Sequence, residues 1–157
     1  MNPSEADRPP HVRTRLKQAP KLRDLYWCDL PRDAQLPEFW KRRPVIVIAG
    51  DGTLSGAVQV VPCSSQPQGA NRWAHQLVTT IDGVGPSWAV CDKVGTVAVS
   101  RLSIDANHSR PRRLTQEEFT AVLGLVLARL PRLQAPSLLP DLTAVAEVEP
   151  MVRLAAE

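Results

Sequence analysis

The chain has 157 residues, 15 prolines and a formal net charge of +3, so it is long enough to bury a real core but too proline-rich for all of it to be folded. No stretch approaches the roughly 18 to 20 apolar residues of a bilayer span and no apolar signal core opens the chain, which reads as a soluble, cytoplasmic protein with no membrane contact. Cys28, Cys63 and Cys91 are an odd number in apolar surroundings without CxxC spacing, a pattern of reduced core thiols rather than a disulfide framework or a zinc site.

Residues 1–24 carry six cations, Arg8, Arg13, Arg15, Lys17, Lys21 and Arg23, against Glu5, Asp7 and Asp24, and so hold the whole formal excess. Polar and proline-rich, this segment is expected to be a disordered leader with weak, salt-sensitive attraction to polyanions. A first strand is predicted over Leu25 to Leu30 and a second over Pro44 to Ala49, where the β-branched run Val45 to Ile48 fits a strand covered on both faces. Pro44 suits a strand start and places Lys41, Arg42 and Arg43 on the preceding loop, a cluster suited to anions. The Gly50-Asp51-Gly52 turn leads to a third strand, Ala57 to Ser64. Trp73 to Thr80 and Ser87 to Cys91 read as two more, joined through Asp82 to Pro86, and Thr96 to Leu102 as a last short one. Many short strands with glycine-rich turns make the class mainly β, a barrel or sandwich.

One helix follows. Thr115 and Glu118 form a capping box, Leu114 and Phe119 a hydrophobic staple, and Pro131 stops the run. Phe119, Val122, Leu123, Val126, Leu127 and Leu130 recur at helical spacing and are expected to face the sheet. The folded domain is thus residues 25–130, and 131–157 form a proline-rich tail with one marginal helix between Leu142 and Glu149.

For chemistry the residues themselves offer Arg43, Ser64 or Ser65, Asp92, His75, Glu38 and Asp51. There is no GxSxG, Walker loop or HExxH, and three scattered histidines do not make a metal site. These signals alone describe a small anion-binding β domain without a cofactor.

Six blocks in order carry a resemblance: Trp27-Cys28-Asp29-Leu30, Lys41 to Ile48, Val60 to Gln66, Ser87 to Asp92, Thr96 to Leu102 and Arg113 to Phe119. Together they look like the MazF/PemK toxins of type II toxin–antitoxin systems. The resemblance implies an SH3-like small barrel of the MazF/PemK/CcdB type with a C-terminal helix. It further implies a homodimer and an endoribonuclease, an mRNA interferase-like hydrolase that cuts single-stranded RNA at short sequences without a metal or cofactor, silenced by an acidic antitoxin. Such cleavage uses the RNA's own 2′-hydroxyl and needs a base, an acid and stabilisation of a charged phosphorane.

Carried onto this sequence, the pattern gives Arg43 the phosphate charge, Ser64 a hydrogen bond to a phosphate oxygen with Ser65 as substitute, and Glu38 the place of a general base. Asp92 is retained as an acid/base or as the partner that orients Arg43. Relatives carrying D-Q-x-R-T differ here, where Asp92-Lys93-Val94-Gly95-Thr96 stands and Lys93 is left to supply the second cation. RNA contacts are expected from Lys41, Arg42, Ser65, Gln66, His75 and Lys93, with Trp73 stacking on a base. Two other functions remain compatible with the same barrel, a gyrase poison acting through an exposed helix and a non-catalytic RNA- or antitoxin-binding module.

Overall fold

A computed structural model describes residues 8–132 apart from 82 and 84; the expected tail helix lies outside the described residues. Eight strands and one helix follow in the order β1 (Asp24–Asp29), β2 (Arg42–Gly50), β3 (Ala57–Ser64), β4 (Ala74–Leu77), β5 (Ser87–Val90), β6 (Gly95–Ala98), β7 (Leu102–Ser103), β8 (Arg112–Arg113) and α1 (Gln116–Arg129). All pairings are antiparallel. The core of the sheet is the meander β1-β2-β3, and each outer edge of this meander is shared by two short strands. β8 takes Asp24 and Leu25 of β1 while β7 takes Trp27 and Cys28. On β3, β6 takes Ala57 to Val60 and β5 takes Cys63 and Ser64. The fold is mainly β, as expected, but the path from β4 to β7 does not close on itself as a barrel would.

The run Val45 to Ile48 is covered on both faces, because side chains alternate across a strand. Ile46 packs with Leu25, Val61, Cys63, Leu114 and Phe119 under α1. Val45 and Val47 join Tyr26, Cys28, Val58, Val60 and Leu102 on the other face. Leu16 is buried in that second cluster and Arg15 pairs with Asp29 at 2.5 Å, so the packed body begins before the expected boundary at Leu25. The three cysteines are free and buried, and burial pushes the thiols of Cys28 up to about 11 and Cys91 up to about 12.

The capping box forms: the Glu118 amide donates to Thr115 Oγ1 at 3.1 Å and the Thr115 amide to Glu118 Oε2 at 3.2 Å. Phe119, Val122 and Val126 are buried by α1, but Leu127 and Leu130 stay more than half exposed. Leu130 already lies in the extended cap and Leu127 faces away from the line of buried positions, so the apolar stripe is narrower than its spacing suggested.

Four expectations about strands change. β2 starts at Arg42, so Arg42 and Arg43 sit on the strand, opposite Asp29 and Cys28, rather than on a loop. The strand expected over Trp73 to Thr80 stops at Leu77, because the amides of Val78 and Thr79 donate to Glu118 Oε1 at 2.7 and 2.8 Å instead of to a ladder. The strand expected over Thr96 to Leu102 is broken by a 3-10 turn, Val99–Arg101, where the Val99 amide donates to the Gly56 carbonyl at 3.0 Å. β8, short and charged, carries no sequence pattern and was not expected.

Candidate functional site

A groove of about 880 Å³ opens where β3 passes from one partner strand to the next. Glu38, Phe39, Pro62, Asp92, Lys93 and Gly95 are among the residues that line it. Its far wall is the 3-10 turn Cys91–Lys93 between β5 and β6, and its near wall is the loop between β1 and β2.

Arg43 emerges from β2 beside this groove, half-buried. Its Nε donates to the Trp40 carbonyl at 3.1 Å and its guanidinium carbon lies 4.1 Å from the centroid of Phe39. Burial lowers its pKa. Lys93 Nζ lies 5.3 Å from the same ring, so one aromatic side chain gathers both cations, each attracted by the negative face of the ring. The two preceding cations sit on other rings, Lys41 at 5.6 Å from Trp40 and Arg42 at 5.2 Å from Trp27, with Arg42 also donating to Ser103 Oγ at 3.3 Å.

Asp33, Glu38 and Asp92 bring carboxylates to the groove. Glu38 is exposed and its Oε2 accepts from the Gln35 amide at 2.8 Å. Asp92 Oδ1 accepts from Asn71 Nδ2 at 3.1 Å, and Asn71 Oδ1 in turn accepts from the Trp73 amide at 3.0 Å. Asp92 is therefore oriented by Asn71, and the orienting of Arg43 expected of it falls instead to Phe39 and the Trp40 carbonyl.

The remaining expected residues lie elsewhere. Ser64 is only 5% exposed, opposite Trp88, and its Oγ accepts from the Gln66 amide at 3.2 Å; the exposed hydroxyl there is that of Ser65. Gln66 is exposed next to it. His75 is half-buried on β4 opposite Ala89 and does not line the groove, nor does Asp51 in the exposed turn after β2. Arg72 and Arg129 lie over Trp73, 4.4 and 5.7 Å from its centroid. No group of three or more His, Cys, Asp or Glu suited to a metal occurs among the described residues.

Phe39 and Asn71 escaped the reading of the sequence. The signal for Phe39 was present in Glu38-Phe39-Trp40-Lys41-Arg42-Arg43, where aromatic rings directly precede the cations that settle on them. Asn71 offered none, since its partner is 21 residues away.

Residues 21–128 match the family described as PemK-like, MazF-like toxin of type II toxin-antitoxin system. The chain belongs to this toxin family. Among solved structures it is similar to MazF (Form-I) from Deinococcus radiodurans, with a TM-score of 0.55 and 19% identity, over 70% of this chain and 94% of that one. It is also matched by the Mycobacterium tuberculosis toxin MazF-mt6, with a TM-score of 0.46 and 19% identity, over 66% and 92% of the two chains. No curated protein matches it. Within this MazF/PemK member, Gly95 lines the groove and a Cβ built there meets nothing within 4 Å. Gly95 thus leaves open space at the groove, and Lys93 reaches the Phe39 ring from two residues earlier.

Proposed function

We propose that this toxin is a metal-independent endoribonuclease that cuts single-stranded RNA at a short sequence, works as a cytoplasmic homodimer and is silenced by an acidic cognate antitoxin. The observation that carries the reading is the convergence of Arg43 and Lys93 on Phe39, in a groove whose walls also hold Glu38 and Asp92. In this mechanism Glu38 takes the proton of the 2′-hydroxyl and the freed oxygen attacks the neighbouring phosphorus. The bond to the 5′-oxygen breaks, leaving a 2′,3′-cyclic phosphate on one fragment and a 5′-hydroxyl on the other. Arg43 and Lys93 neutralise the charge that builds on the phosphorane, the kind of preorganised electrostatic help that acts most strongly on a transition state. Arg43 also donates a hydrogen bond to the leaving 5′-oxygen as charge builds on it, and water supplies the proton that completes the 5′-hydroxyl. Asp92, fixed by Asn71, holds the strand that Lys41, Arg42, Ser65 and Gln66 contact along its length, with Ser64 setting the turn that presents Ser65 and Gln66.

Incubation with a mixed single-stranded RNA pool in excess EDTA tests the proposal. Fragments with cyclic-phosphate ends are expected from the parent and not from Arg43→Ala. Intact RNA that is nevertheless bound would make the protein a non-catalytic module. Intact RNA with inhibited gyrase supercoiling would place its activity on a protein target instead.

A further inference from the structure

Two guanidinium groups from opposite ends of the domain meet on Trp73. Arg72 comes from the loop before β4, and Arg129 is the last residue of α1. Their guanidinium carbons stand 4.4 and 5.7 Å from the indole centroid. Both arginines are exposed, and among the described residues neither is paired with a carboxylate. A ring already holding two cations is a poor platform for a base, which needs a bare face to stack on. It is a good holder of cations, because it fixes the direction of two donor forks without neutralising them. The same ring is tied to the groove through the backbone: its amide donates to Asn71, which donates to Asp92, and its carbonyl accepts from the Cys91 amide at 3.0 Å.

We infer that Arg72 and Arg129, held by Trp73, form a second phosphate site that grips the backbone of a single-stranded RNA where it leaves the groove. The inference rests on the reading of the groove as an RNA site. A phosphodiester strand suits it better than an acidic peptide, because the cations lie one hydrogen-bonded residue beyond a groove wall and planar guanidinium forks match phosphate oxygens in pairs. A contact of this kind adds affinity without sequence preference. Pairs that only fastened the end of α1 to the sheet would have no effect on RNA.

Uncleavable 2′-O-methyl RNA provides the test, as a tetranucleotide confined to the groove and as a twelve-nucleotide strand able to extend beyond it. With the full chain, the preference for the longer strand is expected to fall in Arg72→Gln/Arg129→Gln by about 25-fold near 0.1 M salt. The logarithmic salt slope for the longer strand should fall by about 1.4, the amount that two lost phosphate contacts give on a single strand. Arg72→Lys/Arg129→Lys, which keeps the charges, should recover most of the slope. An unchanged preference in the Gln variant overturns the inference, as does an equal loss on both strands, which marks a general disturbance of the groove. Loss of antitoxin binding with RNA binding intact overturns it in favour of a protein contact. If the parent binds neither strand, the groove reading fails and this inference fails with it, an outcome distinct from a parent that binds both with a variant that does the same.

Discussion

The guanidinium of Arg43 lies 4.1 Å from the centre of the Phe39 ring while its Nε donates to the carbonyl of Trp40, the residue next to that ring. One side chain is thus aimed by two consecutive residues of the β1–β2 loop. The loop that lines the groove is also the device that points its main cation.

Arg43→Ala should cost on the order of 10²- to 10³-fold in kcat, the usual loss for one preorganised donor, with thermal stability unchanged. Phe39→Leu should cost less, a few-fold to about 30-fold, since a cation–π contact contributes about 0.5 to 2 kcal/mol. The loss should appear in kcat more than in KM, and Phe39→Trp should restore it. The decisive measurement is the double variant, in which Phe39→Leu adds only the part it loses through Lys93 once Arg43 is gone. Additive losses would mean that the ring acts on RNA independently of Arg43.

Gly95→Arg should be tolerated, because its Cβ enters open space. Unfolding midpoints should stay within about 0.5 kcal/mol of the parent, as for other surface changes. The new cation at the groove should tighten binding of uncleavable RNA by about fivefold near 0.1 M salt and steepen the salt slope by about 0.7. Binding that is unchanged or weaker would show that the strand does not pass this point.

Glu118 is expected to contribute to the loss of stability in acid. It is only 6% exposed, and burial by itself would raise its pKa, but donors from Thr79, Thr115 and Val78 outweigh burial and bring it from the ordinary 4.5 to about 2. A depressed carboxyl contributes stability that is complete above its unfolded pKa and is lost as pH falls through its folded one, here between about 4.5 and about 2. The full contribution is about 3 kcal/mol. Glu118→Gln should be less stable by roughly that amount at neutral pH and should lack most of the parent's decline in acid. Urea unfolding across this range checks it, and parallel acid limbs in the two proteins would refute the assignment.

Much of this was legible in the sequence, and the parts that were not share a cause. Val45 to Ile48 announced a two-sided strand through composition alone, and the Thr115/Glu118 box fixed the helix start to the residue. Both are local patterns. The end of β4 was misplaced because its amides turn to Glu118, some 40 positions later, and no local pattern reports a partner at that distance. The same holds for the site. Arg43 could be named from the cation cluster before the second strand and Lys93 from the family resemblance, but Phe39 and Lys93 lie 54 residues apart in sequence, and Asp92 found its partner in Asn71 rather than in Arg43. Leu16 shows the converse error, a residue placed in a disordered segment because its neighbours are polar, though it is itself buried.

An acidic antitoxin should compete with RNA at the groove. Arg112 and Arg113 are engaged within the fold: Arg112 donates to the Thr80 carbonyl and Arg113 to the Leu22 carbonyl at 3.1 Å, near Asp24. The electrostatic target should therefore be the entrance to β2, where Lys41, Arg42 and Arg43 sit, together with Lys93. Titration of the neighbouring-gene antitoxin should displace labelled uncleavable RNA, and reversing Lys41 and Arg42 to glutamate should weaken both ligands together, more so at low salt. Simultaneous binding of both at full affinity would separate the two surfaces.

The exchange of partners along the outer edge of β3 gives the groove an unusual freedom. Val60 pairs with Gly95 and Cys63 with Ala89, which leaves Val61 and Pro62 between the two partner strands, and Pro62 has no amide hydrogen to lose there. The segment 91–94 that bridges this seam carries Asp92 and Lys93, yet no ladder hydrogen bond depends on its side chains. Lys93 and Val94, which are not tied into the core as Cys91 and Asp92 are, can therefore be exchanged without shifting the register of β5 or β6. In the nuclease proposed above, this seam is where residues facing the RNA can vary with little cost to the sheet.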